Sequence, residues 1–365
     1  MAKPAQKIET TMDSVPYYEK WQKKEGIPIL DTFFIPDLKE VPLAQWDRIG
    51  QPAAFVNMEG AGQATGSYVC EIAPGKSTKP IKHIYEELLY VLRGRGATTL
   101  WNDKGAKQTF EWQEGSLVCI PLNTSHQHFN GQGGEPARFF SVNNMPIIFN
   151  IFHSDEFIYN TPFDFTDRFN GEAEYFSGKG TSHPGRIWET NFVADARSFK
   201  LQDWQERGAA GKNVMLELAD GVMAAHISEF PVGTYKKAHR HGPGFNVIIV
   251  GGKGFSLLWQ EGKPIKRCDW QDGSVFVPPE MWFHQHFNTS STPARYLPLR
   301  FGAIKHSLGA GMFGDISKVD KDVKAGGDQI EYCDQDPSIR KMFEEELAKS
   351  GIKSQMDSEV YQKKS

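Results

Sequence analysis

The pentapeptide His126-Gln127-His128-Phe129-Asn130 recurs unchanged, 158 residues later, as His284-Gln285-His286-Phe287-Asn288. Working outward, the register holds without a gap back to Ile29. Pro121 falls on Pro279, Gly115-Ser116 on Gly273-Ser274, and Trp112-Gln113 on Trp270-Gln271. Leu100-Trp101 falls on Leu258-Trp259, Gly94 and Gly96 on Gly252 and Gly254, Gly75 on Gly233, Trp46 on Trp204 and Phe34 on Phe192. A fixed period held over about a hundred positions marks a duplicated structural unit. Each copy reads as β. Leu88-Leu89-Tyr90-Val91-Leu92 and Val247-Ile248-Ile249-Val250 are short apolar runs closed by glycine, as buried strands are. Asn102-Asp103-Lys104-Gly105 and Gln260-Glu261-Gly262 are turn signals that predict hairpins. Many short strands at turn spacing make each half a sandwich or a barrel.

The 365 residues exceed what one core usually organises, in keeping with two units. With 39% hydrophobic, 24% charged and 12% aromatic residues, the chain is globular rather than disordered. No window approaches the ~18 apolar residues of a membrane span. Met1–Gln6 has no apolar stretch behind its lysine, so no secretory signal is expected. A net charge of −4 gives no general attraction to nucleic acid or anionic membrane, which favours a small ligand. The four cysteines, Cys70, Cys119, Cys268 and Cys333, form no CxxC pair. Cys70 and Cys119 sit in apolar runs and read as buried small hydrophobes, which fits a reducing cytoplasm.

The expected organisation is a first unit over 29–145, an aromatic-rich packed segment over 146–186, a second unit over 187–303 and a C-terminal extension over 304–365. In the extension Asp336 is a helix N-cap and Pro337 the first helical residue. Ile339, Met342, Phe343 and Leu347 form one apolar stripe before Gly351, which predicts a helix over 337–350. Residues 352–365 are polar and are expected to fray. The segment 146–186 carries nine aromatic residues, Phe149 to Phe176, and is expected to pack across the barrels or on a second copy of the chain, unlike a Gly/Ser linker.

Eight of the eleven histidines fall inside the repeats. His239 and His241 are two apart, as are His284 and His286, so on strands each pair faces one way. Several imidazoles on the inner face of one small β unit point to a metal site. Glu86 points away from Glu87 and is expected to be solvated or paired with a basic side chain.

Both halves resemble the cupin superfamily, whose two motifs run G-x5-H-x-H-x3–4-E-x6-G and G-x5-P-x-G-x2-H-x3-N. Gly75, His83, Glu87 and Gly94 match the first motif, with Ile81 in place of its first histidine. Gly115, Pro121, His126 and Asn130 match the second, with Asn123 at its inner glycine. In the second copy the matches are Gly233, His239, His241 and Gly252, then Gly273, Pro279, His284 and Asn288. There Phe245 replaces the glutamate and Met281 the inner glycine. The resemblance implies an all-β protein of two tandem cupin jelly-roll barrels with a C-terminal α-helix. It implies metal ligands His239, His241 and His284 in the second barrel, and His83, Glu87 and His126 in the first. The latter set matches the facial triad of non-haem Fe(II) oxygenases. His128 and His286 lie further along the same strand faces, as a fourth ligand, a substrate contact or an acid/base group.

The second copy is similar to the iron cupin of gentisate-type ring-cleaving dioxygenases, which carry their iron in the first cupin. That likeness implies a mononuclear non-haem Fe(II) dioxygenase acting with O2 on a small anionic hydroxylated aromatic or enolisable acid, in a cytoplasmic homo-oligomer. Mn(II), Ni(II) or Zn(II) are alternative ions. Two other readings stand beside it. One is a metal-dependent decarboxylase or isomerase, whose three-His, one-Glu set neither half has complete. The other is a non-enzymatic ligand-binding or regulatory cupin. No G-x-S-x-G elbow supports a serine hydrolase.

Overall fold

The computed structural model describes residues 14–242, 244–307 and 316–362. The reading of Met1–Gln6 therefore lies outside the described residues, as do 308–315 of the extension. Each repeat forms two β-sheets. In the first, an eight-stranded sheet carries Gln51–Met58, Gly66–Ile72, Ala137–Asn143, Glu87–Arg93 and Leu117–Ile120 in spatial order. A three-stranded sheet of Ser125–Asn130, Arg95–Trp101 and Lys107–Gln113 faces it. The second repeat builds a nine-stranded and a five-stranded sheet on the same plan.

The two expected hairpins form: Arg95–Trp101 pairs with Lys107–Gln113, and Lys253–Trp259 with Lys266–Gln271. The duplication extends to pairing register. His126 lies opposite Leu100 and His284 opposite Leu258. Ile81 bridges to His126 where His239 pairs with His284. The shared glycines follow from contact. A Cβ on Gly96 or Gly254 would run into the Phe129 or Phe287 carbonyl and the ring of Trp112 or Trp270.

The repeats are not laid end to end. Phe34–Ile35, from the first, pairs with Val275–Phe276 in the second barrel. Phe192–Val193, from the second, pairs with Leu117–Val118 in the first. Each repeat thus lends a strand to the other's large sheet, so 29–145 and 187–303 do not divide the sheets cleanly. Between the large sheets lies one shared core, with Val56, Leu88 and Phe140 from one side and Leu216, Ile248 and Leu297 from the other. Glu86 sits in this seam. Rather than being solvated, it is buried, lies 3.5 Å from Arg168, and accepts from Val222 N (2.6 Å) and Met223 N (2.9 Å).

Residues 145–160 form two short helices, Met145–Phe152 and Asp155–Asn160. Phe149, Ile158 and Tyr159 pack with Trp21 from an N-terminal helix, Tyr17–Glu25, on the first barrel. That helix was not evident in the sequence, because its mean hydropathy is low and Pro16 at its N-cap makes no side-chain cap bond. The C-terminal helix runs Pro337–Lys349, with Asp336 accepting from Ser338 N. Its Ile339, Phe343 and Leu347 are buried. Residues 352–362 do not fray: Gln355 N donates to Gly233 O, and Ile352, Met356 and Tyr361 pack against the helix's apolar cluster. Among the described residues no helix is long and apolar enough to cross a membrane. All four cysteines are free thiols.

Candidate functional site

Strand pairing brings the two histidine sets into the barrel interiors. His239, His241 and His284 place ligand atoms within 4.8 Å of one another, and so do His83, Glu87 and His126. In each ring Nδ1 is taken by a backbone carbonyl. His239 donates to Lys237 O (3.4 Å), His241 to Gly242 O (2.9 Å) and His284 to Trp282 O (3.2 Å). His83 donates to Tyr85 O (2.8 Å) and His126 to Thr124 O (3.0 Å). A carbonyl only accepts, so Nδ1 carries the proton and Nε2 presents its lone pair inward. This is the outer support that ligating histidines need. His83 Nε2 is buried with no hydrogen-bond partner, as a ligand atom would be. Both sets fit a divalent ion.

Electrostatics reinforce the fit. Burial pushes His239 and His284 well below the usual histidine range, and His241 down to about 4. His126 falls to about 3, through burial and the neighbouring His83 and His128. Neutral imidazole is the ligating form. Burial alone would raise Glu87, but His83, whose Nε2 lies 3.5 Å away, the neighbouring His126 and the Ser141 hydroxyl hold it down to about 2.

His128 and His286 are set differently. The Trp270 indole donates to Ser256 Oγ (2.9 Å), which lies 2.8 Å from His286 Nδ1. An indole N–H can only donate, so the buried hydroxyl proton finds its acceptor on Nδ1. His286 Nε2 then carries the proton and faces inward as a donor, not as a fourth ligand. Trp112, Thr98 and His128 repeat the relay at 2.9 and 2.7 Å.

The surroundings of the two sets diverge. Around the first, Glu87 accepts from Tyr68 OH (2.6 Å) and Ser141 OH (2.5 Å), and Tyr85 stacks on His83 with centroids 3.5 Å apart. The remaining cavity is about 10 Å³, which is room for about one water. Around the second, the cavity is about 220 Å³. Phe245, Val247, Tyr296 and Pro298 give it an apolar wall, and His226, Arg186, Arg207 and Arg300 line it as well.

Comparison with known proteins bears on the fold. Residues 68–143 match the family profile of the Cupin domain. The oxalate decarboxylase of Lactobacillus farciminis, solved as a formate complex, superposes with a TM-score of 0.51 at 16% identity, over 76% of this chain and 88% of that one. A variant of the Bacillus subtilis oxalate decarboxylase gives 0.50 at 15% identity, over 76% and 80%. The chain has the bicupin fold. At such identities the likeness is one of fold alone. No curated protein matches the sequence significantly.

Sequence reasoning on this bicupin missed four residues around the sites. Tyr68 and His226 occupy the same place in the repeat, so offset comparison at the 158-residue period could have flagged His226. Arg207 and Arg300 carried no motif signal.

Proposed function

We propose that the second cupin is the working centre of a metal-dependent enzyme, a mononuclear non-haem Fe(II) dioxygenase acting on a small anionic hydroxylated aromatic or enolisable acid. The observation that carries this reading is the set of three neutral imidazoles, His239, His241 and His284, opening onto a ligand-sized cavity. A ferrous ion held there supplies open coordination positions and the one-electron reactivity that O2 chemistry requires. The chain's own residues do the rest. With no carboxylate in the ligand set, the ion's full charge faces an anionic substrate. Phe245, Val247, Tyr296 and Pro298 keep water from the reacting centre. His286, held neutral by burial with its pKa down to about 3, offers its Nε2–H as a hydrogen-bond donor to bound substrate. His128 faces a filled interior, so the acid/base candidacy passes to His286.

In this reading the first cupin's His83, Glu87 and His126 hold a metal in a closed, supporting site. The free thiols fit a cytoplasmic protein. A homo-oligomer built on the exposed Phe152, Phe157 and Phe163 of the inter-repeat segment completes the proposal.

A second reading is favoured by the fold likeness to oxalate decarboxylases: metal-dependent loss of CO2 from a small carboxylic acid. One experiment separates the two. Protein purified without added metal is assayed for metal content, then for O2 uptake and CO2 release against phenolic acids, hydroxy acids and oxalate. Stoichiometric O2 uptake supports the dioxygenase. CO2 release without net O2 uptake replaces it with the decarboxylase, and neither activity with bound ligand leaves a binding protein.

A further inference from the structure

The second barrel's cavity holds more positive charge than its metal set requires. Arg186, Arg207 and Arg300 line it against one carboxylate, Asp320. Arg207 and Arg300 are 1% and 3% exposed, which is unusual for arginine unless every donor is paired. Here they are not. Arg207 reaches Asp320 with Nη2 (2.8 Å), but its Nε and Nη1 have no hydrogen-bond partner. Arg300 gives Nη1 to the Gly302 carbonyl, and its Nε and Nη2 have no partner. In Arg300 the free Nε and Nη2 form the side of the guanidinium whose two N–H groups run parallel, which matches a carboxylate bidentately, whereas Arg207 offers Nε and Nη1 as separate single donors. Buried charged donors left unpaired are costly in the ligand-free protein. The first barrel has nothing comparable: strand register puts Asn143 where the second has Arg300.

We propose that Arg207 and Arg300 form a carboxylate-binding corner of this cavity, distinct from the three-histidine set, and that the natural occupant is a small acid bearing two anionic groups. One group is directed to the histidine set and the other to the arginines. This deepens the functional reading above and rests on it for the first of those groups only. A singly charged or neutral occupant leaves one of the two cationic corners unmatched.

The test uses the full chain with metal stripped by chelation and again with metal restored. Calorimetric titration follows succinate and phthalate, with benzoate as the singly charged and benzamide as the uncharged comparator. The expected result is that a dicarboxylate binds the stripped protein and that metal tightens it further, with benzamide not binding. Arg300→Gln and Arg207→Gln should each weaken dicarboxylate binding to the stripped protein by about tenfold or more, the loss of a charge-assisted pair. Arg300→Lys should fall between, since it keeps the charge without the fork. Metal content should stay unchanged and the ligand-free melting temperature should not fall. A purely structural arginine would instead lower that temperature and leave affinity intact. Failure of both dicarboxylates to bind, equal binding of benzamide, or unchanged affinity in both glutamine variants overturns the proposal. Arginine-dependent binding without O2 uptake upholds this inference and removes only the dioxygenase reading.

Discussion

The two barrels share strand order, pairing register and the Trp–hydroxyl–His relay, yet their interiors have been set to opposite polarity. In the first, Glu87 is cradled by Tyr68 and Ser141. In the second, Phe245, His226 and Pro298 stand at those places, and both hydroxyl donors are gone with the carboxylate they served. Thr78, whose hydroxyl accepts from His128 N, becomes Lys236, and Asn143 becomes Arg300. Replacing Glu87 alone would strand two buried hydroxyls; replacing the whole group leaves none. The changes thus form one unit, which removes an anion, adds the Arg300 cation and opens a cavity. Duplication kept a frame that tolerates either chemistry and allowed one copy to close around its ligands while the other stayed open.

The sharpest way to break this contrast is to remove one ligand from each barrel. His284→Ala should take turnover to background and lower the metal content by one ion per chain. His126→Ala should also cost one ion but change kcat by less than about tenfold, since the first site has no room for a substrate. Equal loss of activity from both variants, read by steady-state kinetics beside metal analysis, would show that the first site is not merely supporting.

A smaller effect comes from moving the carboxylate across. Phe245→Glu places an anion beside the Arg300 guanidinium, now 5.5 Å from the Phe245 ring centroid. Dicarboxylate affinity should drop by about tenfold to a hundredfold, and the melting temperature should fall for want of hydroxyl donors. Adding His226→Tyr and Pro298→Ser should recover the melting temperature but not the affinity. Recovery of both would mean that charge does not distinguish the barrels.

The smallest effect concerns Lys236, fully buried with Nζ unpartnered. Nζ lies over Trp204 (5.1 Å), Phe230 (5.5 Å) and Tyr296 (5.0 Å). Burial, then the nearby Arg207, pushes its pKa well below the ordinary lysine value, against the opposing pull of Asp320 and Glu229. The native state therefore binds fewer protons than the unfolded chain between that lowered value and about 10.5, so this group makes stability rise with pH across the window. Lys236→Met should be more stable than wild type near neutrality, and its advantage should shrink as pH rises toward 10. Urea titrations at several pH values read the gap, and a pH-independent gap would show that the lysine is charged in the folded protein.

Much of this was legible in the sequence because it is local or repeated. The 158-residue period, the i,i+2 histidine pairs and the hairpin turns need only strand geometry to be read. The helix from Pro337 was equally plain, through its cap and apolar stripe. Other features depended on residues that meet only after folding. Glu86 sits one residue from Glu87, and alternation alone sends it outward; only the second barrel's Val222–Met223 turn makes that outward face buried.

What the sequence by itself determined is therefore the duplicated β framework and the six candidate ligands, because strand periodicity and turn chemistry act over a few residues and a repeat samples them twice. The tertiary structure alone decided that Phe34–Ile35 and Phe192–Val193 cross between the barrels. It alone decided that one ligand set is enclosed while the other opens on a cavity lined by Arg207, His226 and Arg300. Those residues come from separate segments, and no spacing rule links them. Their convergence is set by which sheet faces pack together, and packing is a property of the whole chain.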